Sequence, residues 1–187
     1  MTAATRSEPT SGVPAVATTL WIALIAALSV GGSYAYACAA PLAAVAALAA
    51  TKMDRGAGLG LVIAAWLASQ AVGYGLLDYP QTANSFAWGG AIGLAAVAGY
   101  AGARSLAGAR LPQVAALCLA LVAAFVLYET ALYAAGFALG ASEEVFSLAV
   151  VGRILAINAV AFVGLLVLHR VALQVLGLGA KREVAHA

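Results

Sequence analysis

Residues 112–139 read PQVAALCLALVAAFVLYETALYAAGFAL, a run of 28 residues with a single formal charge, Glu129. About 20 consecutive apolar residues suffice to carry a helix across the hydrocarbon core of a bilayer, so this run is a membrane span with length to spare. Its apolar residues are continuous and Ala/Leu-rich, without the ten-residue alternation of a transmembrane β-barrel. The fold class is therefore all-α. The stretch also poses a functional question, because a charged side chain at the centre of a membrane helix costs roughly 2.5 to 3.5 kcal/mol on insertion scales.

The rest of the chain has the same character. Of 187 residues, 65% are apolar and 9% charged, and the mean hydropathy is +1.02; about a quarter of a soluble domain is charged. The chain is a polytopic membrane protein whose first partner is the lipid bilayer. The net charge of +2 does not point to nucleic acid, since in a membrane protein the placement of charge matters more than its sum. Apolar runs punctuated by charge, Gly and Pro predict six transmembrane helices at about 16–33, 37–51, 57–77, 86–104, 112–139 and 145–175. The second is short for a span, although Lys52 and Arg55 could snorkel beside it. Residues 1–14 form a disordered polar leader, 15–176 the six-helix domain and 177–187 a cytoplasmic tail. Arg6, the apolar stretch 15–30 and the small-residue sequence AYA at 35–37 also fit a cleavable signal peptide; the reading adopted is a retained first helix.

Six alternating crossings place Arg6, Lys52, Arg55, Arg104, Arg110, Arg170, Lys181 and Arg182 on one side, with Asp78, Glu143 and Glu144 on the other. The positive-inside rule then puts both termini in the cytoplasm. Arg153 is the one basic residue left, inside the last helix. The turn between the last two helices centres near residues 141 and 142, so Glu129 and Arg153 lie about equally deep in an antiparallel hairpin, on the order of 15 Å from the turn. They are expected to pair across the bundle interior, each lowering the cost of the other. A simple staple between two helices is the plainer use of such a pair.

Six of the seven tyrosines, and Trp88, fall in the outer half. Trp66, Gln70, Tyr74 and Asp78 recur every fourth residue, as do Phe125, Glu129, Tyr133 and Phe137, and each set reads as a polar-aromatic stripe. These features outline an aromatic cavity open to the outside. Its expected substrate-binding residues are Tyr74, Asp78, Trp88, Glu129, Tyr133 and Arg153, with Arg153 orienting an anionic or carbonyl group and the rings stacking on a flat ligand. An interfacial aromatic belt with a solvated loop is the competing account. Gly89, Gly93 and Ala96 form a small face suited to close helix packing.

Catalysis is not expected. There is no CxxC, GxSxG, HExxH or glycine-rich phosphate loop, and His169 and His186 are both cytoplasmic in this topology, so no metal or haem site is expected. Cys38 falls near the outer end of its helix and Cys118 near the inner end of its own, so they are not expected to bridge.

The small size, the six helices with both termini inside, the Ala-rich segment LWIALIAALSV at 20–30 with its Ala23/Ala27 pair, and the polar outer loops are similar to the substrate-binding S component of energy-coupling factor (ECF) transporters. The resemblance implies a bacterial inner (cytoplasmic) membrane protein, not an enzyme. Such a protein captures a vitamin or cofactor-like molecule from the outer side, without a cofactor of its own. It also implies docking through Ala23 and Ala27 on a transmembrane coupling subunit that works with ATPases. A cobalamin-type corrinoid is one substrate of that family, and Cys38 would then be its metal ligand. Two other readings stay open: a non-catalytic accessory subunit of a larger membrane complex, and a proton-coupled carrier with Glu129 as relay.

Overall fold

The computed structural model describes residues 40–106 and 110–175. They form five α-helices and one 3₁₀ turn: α1 Leu42–Lys52, α2 Arg55–Leu76, α3 Ala83–Ser105, α4 Gln113–Leu139, the turn Glu143–Phe146, and α5 Leu148–Val175. No strand occurs among the described residues. Helices α2 to α5 are each long and apolar enough to cross a membrane, so the chain is a multi-pass helical membrane protein. The expected crossing at 16–33 with Ala23 and Ala27, the leader, Cys38 and the tail lie outside the described residues. The six-crossing count and the side on which the termini lie therefore remain expectations.

Helix α1 is the unusual element. Its 11 residues rise about 16 Å, about half of a hydrocarbon core of ~30 Å. It is nevertheless the centre of the bundle: Leu42 to Ala50 are all at most 1% exposed, and α2, α3, α4 and α5 all pack on it. The sequence LAAVAALAATK explains why. A helix that is apolar all round has no face to give to water, and alanines let neighbouring backbones come close.

Burial makes the ends of α1 a problem, because four N–H groups and four carbonyls at the helix termini lack partners inside the helix. At the N-terminus Pro41 supplies no side-chain cap. Asn158 of α5 reaches across instead, its Oδ1 accepting from the Ala44 N–H at 3.0 Å, while its Nδ2 donates to the Ile154 carbonyl at 3.0 Å. At the C-terminus the Arg104 guanidinium of α3 donates to the carbonyls of Ala50 at 2.9 Å and Met53 at 2.8 Å. That contact also sets a cation at the negative end of the helix dipole.

These contacts fix the register of the bundle. Arg104 at the end of α3, and the Tyr100 hydroxyl donating to the Arg55 carbonyl at 3.1 Å, gather Lys52, Arg55 and Arg104 at one end, here the basic end. The connections 77–82 and 140–147, with Asp78 and Glu144, lie at the other, the acidic end. Gly99 lets α3 and α4 touch backbone to backbone; a Cβ there would lie 2.8 Å from the Ala124 carbonyl oxygen. The small face at Gly89 and Gly93 packs against α2, where a Cβ on Gly93 would lie 2.6 Å from the Trp66 ring.

Replacing Asn158 by Leu keeps the volume and strands the Ala44 N–H, and a buried unsatisfied donor costs about 1 to 3 kcal/mol. Asn158→Leu and Arg104→Met are therefore expected to lower the thermal unfolding midpoint in detergent distinctly. The exposed Arg170→Met should shift stability by no more than ~0.5 kcal/mol.

Candidate functional site

Because α1 starts partway through the bundle, it fills the basic half and leaves space in the acidic half. There a cavity of about 240 Å³ opens, with Ala40 and Leu42 at its floor and walls from α2, α3, α4, α5 and the 3₁₀ turn. Trp88 and Ile92 come from α3, Tyr128, Glu129 and Leu132 from α4, and Ser69 and Gln70 from α2. Val145, Phe146 and Ile154 close the remaining side.

One further wall residue, Tyr79, is brought in by the end of α2. The Leu77 N–H donates to the Val72 carbonyl and the Tyr79 N–H to the Gly73 carbonyl, both at 3.1 Å. Between them Asp78 takes a left-handed backbone conformation with φ 50°, the conformation in which helices commonly end. The turn folds the Tyr79 ring back over Gly73, where a Cβ would lie 2.5 Å from the ring.

Trp88 and Glu129 therefore stand where the sequence reading put them, in the wall of a cavity. The other expected residues do not line it. Asp78 is exposed, and what it contributes is the backbone turn that delivers its neighbour. Tyr74 backs the site: its hydroxyl lies 3.1 Å from Ser85 Oγ, and its ring stacks on Phe86 at 4.9 Å and meets Tyr79 edge-on at 5.9 Å. Tyr133 is 52% exposed and packs edge-on against Phe137 and Phe146. Arg153 is exposed and forms no ion pair with Glu129.

Helix geometry accounts for these departures. Positions four apart advance about 400° at 3.6 residues per turn, so a stripe of four such residues drifts about 120° from first to last and its ends do not share a face. On α2 the stripe faces α3 as Trp66 and Gln70; Trp66 Nε1 donates to the Gly89 carbonyl at 2.8 Å. By Asp78 the helix is over. The expected Glu129–Arg153 pair fails for another reason, since α1 packs on both α4 and α5 and the two are not a closed hairpin. The inward residues of α5 are Ile154, Asn158, Phe162 and Leu165, and Arg153 lies about 140° round the axis from Asn158.

Glu129 is left in a singular position. Its Oε1 is buried and has no hydrogen-bond partner, and no Lys, Arg or His is among the described residues of the lining. Tyr128, Tyr79 and Gln70 join it there. In the sequence Tyr128 and Tyr79 stood out only as members of the outer-half tyrosine set, and Tyr79 gave no periodic signal because it lies beyond the helix. No group of three or more His, Cys, Asp or Glu side chains gathers among the described residues, and the described cysteine, Cys118, is exposed.

The fold and cavity define a polytopic helical membrane protein with an internal polar-aromatic chamber. Compared with known families, with characterised proteins and with solved structures, the chain matches none.

The turn at Asp78 yields a direct check. Asp78→Gly, which suits a left-handed position, should keep or slightly raise the unfolding midpoint. Asp78→Val should cost about 1 to 2 kcal/mol, the order of the left-handed penalty for a residue with a bulky Cβ. If Asp78→Gly instead abolished ligand binding in a protein of undiminished stability, the carboxylate itself would belong to the site.

Proposed function

We propose that this protein is a membrane-embedded capture protein for a compact small molecule, which it takes from the outer side of the membrane for uptake. The observation that carries this reading is the chamber above the start of α1. Concave sites lined by aromatic and apolar side chains with a few convergent polar groups are the usual form of small-molecule sites, and here Trp88, Tyr79 and Tyr128 surround Glu129 and Gln70.

The outer-side assignment rests on charge. Lys52, Arg55, Arg104, Arg110 and Arg170 all belong to the basic end, which the positive-inside rule assigns to the cytoplasm, so the chamber belongs to the opposite half. At about 240 Å³ the chamber is just below the ~300 to 1,000 Å³ range of small-molecule sites. It suits one ring or two fused rings and is too small for a corrinoid, so a small vitamin-like ring compound replaces that candidate. On this reading the protein serves as the substrate-binding subunit of an ECF-type system, handing its cargo to a transmembrane coupling subunit energised by ATPases.

Native mass spectrometry of the gently solubilised protein tests the reading. A discrete small adduct is expected on the wild-type chain, and Leu132→Trp, which fills the chamber, should remove it while leaving a monodisperse protein. A bare wild-type chain that is recovered only with other subunits would make the bundle an assembly scaffold instead.

A further inference from the structure

The described walls of the chamber hold one acidic side chain and no basic one. Glu129 Oε1 is buried without a hydrogen-bond partner, and the described walls supply rings, amide and hydroxyl groups but no cation. None of the described basic side chains lines the chamber. Arg104 is held by the carbonyls of Ala50 and Met53 at the far end of α1, and Arg153 is exposed.

An intramembrane carboxylate faces a bundle interior or cavity because something there compensates it. The aromatic residues beside it point the same way. Trp88, Tyr79 and Tyr128 form the wall together with Glu129, and the faces of indole and phenol rings attract a cation through their quadrupoles, Trp most strongly. An anionic ligand would meet a carboxylate and electron-rich rings, with no basic side chain among the described residues of the lining.

We infer that the chamber selects a small organic cation, a protonated amine or cationic ring, whose charge lies against Glu129 and whose hydrocarbon part lies among Trp88, Tyr79 and Leu132. The inference rests on the binding function proposed above and specifies the chemistry of its ligand. It reverses the charge preference that Arg153 would have given the site.

Three one-ring probes that differ only in their head group separate the alternatives: benzylammonium, benzyl alcohol and benzoate. Binding is measured as a rise in the unfolding midpoint and by quenching of tryptophan fluorescence, on the detergent-solubilised protein and on E129Q. Benzylammonium is expected to bind best, to lose at least ~10-fold in affinity in E129Q, in line with the loss of a charge-assisted contact, and to weaken in Trp88→Leu. Benzyl alcohol should differ little between wild type and E129Q.

If benzoate or benzyl alcohol bound the wild type as well as benzylammonium, or if E129Q left benzylammonium unchanged, the cation preference would be wrong while the chamber remained a binding site. If no probe bound, the inference would also fall, and native mass spectrometry would show whether the binding function fell with it or survived through a retained adduct. Should E129Q fail to fold, the ranking of the three probes on the wild type decides the matter alone.

Discussion

A helix buried from Leu42 to Ala50 in an apolar bundle needs protein partners for the backbone groups near its ends, and in this molecule two side chains supply some of them. Asn158 receives the Ala44 N–H, and Arg104 holds the carbonyls of Ala50 and Met53. Without water to take their place, unpaired backbone groups at these positions would each cost several kcal/mol in hydrocarbon. The two contacts join α1 to α5 and to α3, so they set the depth of the central helix and the register of its neighbours together. The polar residues most important to the fold are thus two that sit in otherwise apolar helices.

The chamber follows from the shortness of that helix. Had α1 continued through the acidic half, its side chains would have stood where Ala40 and Leu42 now form a floor. The walls are built from what surrounds the gap: the glycine face of α3, which lets Trp66 and Gln70 of α2 approach; the end of α2, which turns at Asp78 and brings Tyr79 back; and α4, which presents Tyr128 and Glu129. Gln70 and Tyr79 are thus placed by close helix packing and by the turn at Asp78. Such a site is preorganised, and binding to it would cost little ordering of the protein.

Glu129 contrasts with the paired polar side chains that join the helices. Asn158, Arg104, Trp66 and Tyr100 all have partners from other helices, whereas the Glu129 Oε1 has none. An unpartnered carboxylate oxygen in the wall of a cavity is where function is to be sought. Arg153, the other charge within the described spans, is exposed and is not among the residues that line the chamber.

The sequence alone determined that this is an all-helical membrane protein, because length, hydropathy and the segregation of Lys and Arg depend on the solvent and not on packing. It also singled out Glu129 and Trp88, since a lone acid and a lone indole in an apolar run stand out without any knowledge of neighbours. The central position of α1 was hinted at by a run that is apolar on every side, yet its shortness read as a weak span. Only the tertiary structure decided which stripe faces which neighbour. Four-residue spacing drifts around a helix, so Tyr133 and Asp78 share a pattern with chamber residues without sharing their surroundings. Only the tertiary structure, too, separated Arg153 from Glu129. Equal depth along two helices says nothing about their rotation, and rotation is set by which residues, here Ile154 and Asn158, the central helix requires to face inward.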